Sequence, residues 1–219
     1  MIDWGLSFAA AAALIYLIRF AGKFPSLAKS VIKSLSVGVL AMVAVLAGLP
    51  MLLSLALALG ALGDACLSRD GDKAFLAGLG SFALSHLAYA ALFLRHPASD
   101  LSALLSLGAL PATAGVLGLA FWMGWRLWPV TGDLRGPVMG YVAVIAGMGL
   151  AAVSVGPPVL WAALLFMISD TVLAAELFLL GPDSRWRKFA PYVVWSTYWL
   201  AQALFLLSFL ALAALGTTA

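Results

Sequence analysis

Charged residues are scarce in this sequence. Twelve Lys and Arg and nine Asp and Glu make up 10% of the 219 residues, whereas 64% are apolar. The mean hydropathy of +1.10 lies far outside the range of soluble proteins. The single cysteine, Cys66, excludes an internal disulfide, and the two histidines form no His-x-x-x-His motif. The composition therefore predicts a polytopic membrane protein and excludes a sizeable soluble domain.

Eight apolar stretches are each long enough to cross a bilayer, which takes about 20 residues, with about 17 as the lower limit. They lie at residues 3–20, 31–48, 50–67, 74–94, 101–125, 136–155, 158–180 and 188–215. The predicted fold class is an all-α bundle of eight transmembrane helices, with residues 1–219 forming one transmembrane domain.

Basic residues cluster in alternate connections, and only Arg95 falls on the opposite side. The clustered residues are Arg19, Lys23, Lys29, Lys33, Arg69, Lys73, Arg126, Arg135, Arg185, Arg187 and Lys188. The positive-inside rule then places both termini away from the cytoplasm. The net charge of +3 favours contact with anionic lipid headgroups over nucleic acid. We expect an integral protein of the bacterial cytoplasmic (inner) membrane.

Two aspartates occupy matching apolar frames, Gly63-Asp64-Ala65-Cys66-Leu67 and Ser169-Asp170-Thr171-Val172-Leu173. An ionisable residue inside a membrane segment costs about 2.5–3.5 kcal/mol on insertion scales and usually marks a functional site. Each aspartate follows a Gly/Pro connection by a similar number of residues, so both lie on the cytoplasmic side of the midplane. The match predicts two parallel four-helix repeats with helices 3 and 7 as counterparts. Asp64 is closer to a helix end and is expected nearer to water.

Other polar residues lie on the helices that follow each aspartate helix. Ser85, His86 and Tyr89 form one stripe on helix 4, and Tyr198 and Gln202 are four residues apart on helix 8. Lys33 lies at the cytoplasmic end of helix 2, where its ammonium can reach a carboxylate or a phosphate. The polar groups at depth are thus expected on helices 3, 4, 7 and 8.

Structural roles compete with these functional interpretations. Asp64 can be solvated at the interface, and Tyr198 and Gln202 can act as hydrogen bonds between helices. Glu176 is expected to reach the cytoplasmic surface near the basic residues of the seventh connection.

The motifs resemble those of the YhhN/TMEM86 family. The similar segments are the Gly-Asp of helix 3 within 59–67, the Phe, Gly-Leu and His-x-x-Tyr pattern of 75–89, the Ser-Asp of 166–170 and the Tyr-x-x-x-Gln of 198–202. Lys33 matches a Lys-Pro of the family, although Ser34 stands here in place of the proline. The resemblance runs in order and spacing through nearly the whole chain.

This resemblance implies a lysoplasmalogenase, an integral membrane hydrolase without a cofactor. Such an enzyme cleaves the vinyl ether of a lysoplasmalogen, a lysophospholipid of the membrane, to a fatty aldehyde and glycerophosphoethanolamine or glycerophosphocholine. A carboxylic acid would protonate the alkene, and a second carboxylate would stabilise the resulting oxocarbenium ion and activate water. The implied catalytic residues are Asp64, Asp170 and His86. The sequence leaves open which aspartate is the acid, and the deeper position expected for Asp170 favours that residue. The implied substrate-binding residues are Lys33, Ser85, Tyr89, Tyr198 and Gln202.

Three alternatives remain open at this point. A proton-coupled transporter of a lipid or small amphiphile would also place aspartates and a histidine at depth. A metal-dependent hydrolase would take Asp64, His86 and Asp170 as ligands. A purely structural or assembly protein is less consistent with unpaired carboxylates in a membrane.

Overall fold

A computed structural model describes residues 2–214 and 216, and in this part of the chain it contains eight α-helices. They are α1 (Ile2–Arg19), α2 (Leu27–Leu46), α3 (Met51–Leu67), α4 (Asp72–Leu94), α5 (Leu110–Leu127), α6 (Arg135–Val155), α7 (Pro157–Phe178) and α8 (Ala190–Ala214). Short 3-10 turns lie at Leu101–Leu105, Gly132–Leu134 and Arg185–Lys188. The predicted all-α class is confirmed.

Six of the described helices are long and apolar enough to cross a membrane, namely α1, α2, α4, α6, α7 and α8. The α3 helix is apolar but has only 17 residues. Large apolar side chains such as Trp4, Phe24 and Phe121 are exposed on the outside of the bundle, as expected of surfaces that face lipid. The eight-span topology and the placement of the termini remain predictions.

The fifth helix differs from its expected range of 101–125. Residues Leu101–Leu105 form a 3-10 turn, and α5 begins only at Leu110. Pro111 sits in the first turn of α5, the part of a helix that tolerates proline because no backbone N–H is needed there. Asp100 caps the 3-10 turn, and the hydrogen bonds from Ser102 to its carboxylate lower the pKa of Asp100.

Each half of the chain packs its helices in sequence, α1 to α4 and α5 to α8. Between the halves, α4 packs on α6 and α8 packs on α2. The fourth helix of each half thus contacts the second helix of the other half. This reciprocal pattern of contacts is the one expected of two parallel repeats. The repeat itself stays a prediction.

Small residues let the helices of the site approach closely. A Cβ atom at Gly63 on α3 would lie 2.6 Å from the ring of Phe82 on α4, and one at Gly60 would lie 2.5 Å from Gln202 Nε2 on α8. Helices in membranes commonly use glycine where backbones must come together. These two glycines bring α4 and α8 against the helix that carries Asp64.

Candidate active site

Asp64 lies at the contact of three helices and binds a cation and a hydroxyl. Lys33 Nζ of α2 is 3.0 Å from Asp64 Oδ1, and the Tyr198 hydroxyl of α8 donates to Asp64 Oδ2 at 2.9 Å. The Asp64 side chain is 1% exposed, so it is not solvated at an interface. Contacts on both oxygens by an ammonium and a hydroxyl fit an ionised carboxylate.

Lys33 turns inward and pairs with the carboxylate. Its side chain is 15% exposed, and its ammonium lies 5.9 Å from the ring centre of Tyr16 and 5.8 Å from that of Trp195. The Trp195 indole is itself anchored by a hydrogen bond of 3.0 Å to the carbonyl of Ala13. Aromatic faces and a carboxylate together compensate the ammonium for the loss of water.

Asp170 has a different set of partners. The Tyr141 hydroxyl of α6 donates to Asp170 Oδ2 at 2.5 Å, and His86 Nε2 of α4 lies 3.1 Å from the same oxygen. His86 Nε2 and the Tyr141 hydroxyl are 2.9 Å apart, so the three groups form one cluster. The Asp170 side chain is 8% exposed and thus less buried than that of Asp64. The expectation that Asp64 lies nearer to water is therefore wrong, because Lys33 and Tyr198 cover it.

Tyr89 and Gln202 lie behind Tyr198 rather than beside either carboxylate. The Tyr89 hydroxyl donates to Gln202 Oε1, and Gln202 Nε2 donates to the Tyr198 hydroxyl at 3.2 Å. Both residues are fully buried. The chain of hydrogen bonds therefore runs from α4 through α8 to Asp64 and fixes the position of the Tyr198 hydroxyl.

Ser85 is directed elsewhere. Its hydroxyl donates to the carbonyl of Ala56 on α3 at 2.8 Å, and the Ser81 hydroxyl on the same helix donates to Leu59 at 2.7 Å. Both bonds join α4 to α3. Ser85 thus makes a contact between helices in this structure and is not brought to the carboxylates with the other predicted site residues.

A cavity of about 520 Å³ joins the two aspartates. Asp64, Asp170, Lys33 and Tyr198 line its inner part. Its mouth lies at the end of the bundle formed by the connections α1–α2 and α7–α8, and is lined by the charged residues Lys23, Lys29, Glu176, Arg187 and Lys188. Glu176 thus contributes to this mouth. The two carboxylates share one polar space that opens at the face carrying most of the basic residues.

A narrow apolar cleft of about 50 Å³ meets this cavity. Five residues line both spaces, namely Leu67, Phe82, Asp170, Leu173 and Leu177. The rest of the cleft is lined by Tyr141 together with apolar side chains that include Phe75, Met123, Leu127, Val142 and Ala174. Asp170 is the carboxylate at the junction of the polar cavity and the apolar cleft.

Sequence reasoning missed Tyr141, and it placed the polar groups on too few helices. Tyr141 of α6 bonds to Asp170, and Tyr16 of α1 lies beside Lys33. Tyr141 has no polar residue three or four positions away along α6. In the sequence it therefore looks like an aromatic residue that only packs against its neighbours. Its only signal in the sequence is its position within a predicted span.

The described residues, 2–214 and 216, contain no group of three His, Cys, Asp or Glu side chains that could hold a metal ion. His86 lies with Asp170, whereas Asp64 lies with Lys33 and Tyr198. The arrangement offers two separate carboxylates, one paired with an ammonium and one with a tyrosine and a histidine.

Comparison with known proteins places the chain in a single family and finds relatives that share one name. The profile of the YhhN family matches residues 28–209. A protein of Sus scrofa named lysoplasmalogenase TMEM86B is 36% identical over 154 residues, which are 70% of this chain and 61% of that protein. The Mus musculus and Homo sapiens proteins of the same name are 33% and 32% identical, over 72% and 74% of this chain and 62% and 64% of their own lengths.

The matched region spans a little over three fifths of these relatives. No solved structure matches the chain significantly. The names of the relatives do not favour the transporter alternative.

Proposed function

Because the chain belongs to the YhhN family, we propose that it is a membrane lysoplasmalogenase. The reaction is hydrolysis of the vinyl ether bond of a lysoplasmalogen to a fatty aldehyde and glycerophosphoethanolamine or glycerophosphocholine. One observation supports this above all, namely that Asp170 lies where the polar cavity meets the apolar cleft. In a lysoplasmalogen the vinyl ether is likewise the junction of the polar headgroup and the apolar chain.

Asp170 acts as the general acid in this proposal. Its protonated carboxyl group gives a proton to the alkene carbon β to the ether oxygen, and the double-bond electrons form the new C–H bond. Positive charge then develops on the adjacent carbon and the ether oxygen as an oxocarbenium ion. Tyr141 and His86 both contact Oδ2, which leaves Oδ1 for the transferred proton. The same two contacts stabilise the carboxylate once the proton has left.

Asp64 acts as the ionised partner. Its negative charge, held by Lys33 and Tyr198, stabilises the oxocarbenium ion and accepts a proton from the water that attacks the cationic carbon. The hemiacetal then collapses to the aldehyde. Its hydroxyl proton returns to Asp170, and the proton on Asp64 passes to the departing glycerol oxygen. The sum of these steps is the addition of one water and the cleavage of one C–O bond.

The remaining predicted residues support these two groups. His86 contacts Asp170 and, unlike Asp64, is not among the residues that line the cavity or the cleft, so it positions the acid rather than touching substrate. Tyr89 and Gln202 position Tyr198, which lines the cavity. Lys33 keeps Asp64 ionised and does not serve as the phosphate site. Ser85 has no part in the chemistry.

The test is release of free aldehyde from lysoplasmenylethanolamine by the purified protein in detergent or nanodiscs. The matched control substrate is the saturated alkyl-ether analogue, which lacks the alkene that Asp170 would protonate. We expect aldehyde from the vinyl ether and none from the alkyl ether. Absence of aldehyde from the folded protein would refute the proposed activity, and cleavage of both substrates would refute the protonation step.

A further inference from the structure

The cavity mouth is lined by both positively and negatively charged side chains. Four cations, Lys23, Lys29, Arg187 and Lys188, and one carboxylate, Glu176, line it. We propose that this mouth is a headgroup site selective for phosphoethanolamine, in which Lys29, Arg187 and Lys188 bind the phosphate and Glu176 binds the primary ammonium. The inference rests on the proposed function, since it assigns the polar end of the same substrate.

We assign the phosphate to cations at the mouth that, unlike Lys33, do not form a salt bridge with Asp64. Lys33 is paired with Asp64, whereas Lys29 lies one helical turn nearer the mouth on the same face of α2. Lys29 Nζ donates to the carbonyl of Lys23, which holds the ammonium at the opening. The Lys188 side chain is exposed at the same mouth.

Arg187 supplies directional donors. One of its terminal nitrogens donates to the backbone carbonyl of Glu176 at 2.8 Å, which fixes the guanidinium against α7. Its Nε is buried and has no hydrogen-bond partner within the described part of the chain. A guanidinium fixed in this way, with a donor unused, is suited to a phosphate oxygen.

The ammonium side is Glu176. It lies six residues after Asp170 on α7, which at the rise of an α-helix is about 9 Å toward the mouth. A glycerophosphoethanolamine held with its ether oxygen near Asp170 spans a distance of this order. Among the residues that the structure describes, no cation lies within salt-bridge distance of the Glu176 carboxylate. Arg187 and Lys29 interact with this carboxylate only at longer range, and the Arg187 guanidinium donates to the backbone carbonyl of Glu176 instead. A primary ammonium would supply the missing donor.

A quaternary ammonium fits this mouth less well. It carries no N–H donor, and it is usually recognised by the faces of several aromatic rings. The faces of Tyr16 and Trp195 near the cavity are already occupied by the Lys33 ammonium. The cavity lining near the mouth also includes the ring of Tyr192. A single further ring is fewer than the several that usually recognise a quaternary ammonium, whereas the Glu176 carboxylate can pair with a primary ammonium.

The test measures binding of the water-soluble products, which requires no hydrolysis. Isothermal titration of the purified full chain with glycerophosphoethanolamine and glycerophosphocholine should give about tenfold tighter binding of the ethanolamine compound. Glu176→Gln should weaken binding of the ethanolamine compound about tenfold and remove the preference. Asp183→Asn is the matched control, because Asp183 is exposed in the α7–α8 connection and does not line the cavity.

The phosphate contacts are tested with Lys188→Gln, which should weaken binding of both compounds equally. Lys73→Gln is the control, because Lys73 is exposed and does not line the cavity.

Equal affinities for the two compounds in the unmodified protein, or a preference that survives Glu176→Gln, would overturn the headgroup site. Selective binding without aldehyde release would support this site and refute the hydrolase, whereas aldehyde release without selectivity would refute this site alone.

Discussion

Lys33 Nζ and Asp64 Oδ1 lie 3.0 Å apart inside the helix bundle, with the lysine side chain 15% exposed and the carboxylate side chain 1% exposed. The Tyr198 hydroxyl completes the environment of Asp64 at 2.9 Å. Neither charge is stable at such a position without the other, because removal of one partner leaves a buried ion uncompensated. The pair is therefore a structural element, and in the proposed reaction Lys33 also serves to keep Asp64 ionised.

Lys33→Met should destabilise the protein by about 3–5 kcal/mol, because it leaves the Asp64 carboxylate unpaired. Thermal unfolding of the purified protein in detergent measures this. The double variant Lys33→Met with Asp64→Asn should recover most of the lost stability but none of the aldehyde release. Lys73→Met, at an exposed position, is the control. Equal stability of the single and double variants would show that the two side chains do not depend on each other.

The sequence singles out the two aspartates because a charge in an apolar frame stands out against its neighbours, and the structure places both along one cavity. The sequence did not predict that Asp64 is the more buried of the two, since that follows from contacts with α2 and α8. The position of a residue along its helix predicts its depth in the membrane. Its burial depends on contacts with residues that are distant in the sequence. Here Lys33 is 31 positions before Asp64, and Tyr198 is 134 positions after it.

The fifth helix shows a second limit. Apolar composition alone does not separate the 3-10 turn Leu101–Leu105 from α5, since both are rich in leucine. Pro111 marks where the helix begins, because proline fits the first turn and disrupts an interior. Tyr141 illustrates the same problem for the site: only the contact with Asp170 distinguishes it from a packing residue.

Asp170→Asn should reduce aldehyde release at least about 100-fold, since asparagine has no acidic proton for the alkene. The side chain has nearly the same shape, so the variant should be extracted and unfold like the unmodified protein. The control Asp133→Asn changes an exposed aspartate in the turn Gly132–Leu134. Turnover within a few fold of the unmodified protein would remove Asp170 from the mechanism.

Tyr141→Phe should lower kcat about 10- to 100-fold and leave KM nearly unchanged. It removes one hydrogen bond to Asp170 Oδ2 and keeps the ring that lines the cleft. A residue that only packed would instead alter stability without separating kcat from KM. Steady-state kinetics with lysoplasmenylethanolamine, together with thermal unfolding, distinguishes the two roles. An unchanged kcat would contradict the role of Tyr141 as a positioning residue.

Gly60→Ala should impair activity without any change to a polar group. The new methyl would lie 2.5 Å from Gln202 Nε2 and 3.0 Å from the Tyr198 hydroxyl, so both side chains must move. Displacement of a group that orients a reacting carboxylate costs about 10- to 100-fold in rate. Gly80→Ala is the matched control, because no atom lies within 4 Å of its added methyl and alanine favours a helix. Normal rates in both variants would show that Tyr198 needs no fixed position.

Ala174→Phe should change which chain lengths are accepted. Ala174 lines the cleft of about 50 Å³ but not the polar cavity. A substrate with its vinyl ether at Asp170 would direct its alkenyl chain along this cleft, so a phenyl group at position 174 would obstruct the chain and leave both aspartates untouched. We expect KM to rise for long-chain lysoplasmalogens and to change little for short-chain analogues, whose chains end before the obstruction. Ala175→Phe adds the same bulk one position along α7, at a residue that lines neither space, and should not discriminate by chain length. The measurement is aldehyde release from a series of vinyl ether chain lengths. An equal loss for every length would place the chain outside this cleft and separate Asp170 from the junction on which the proposed reaction depends.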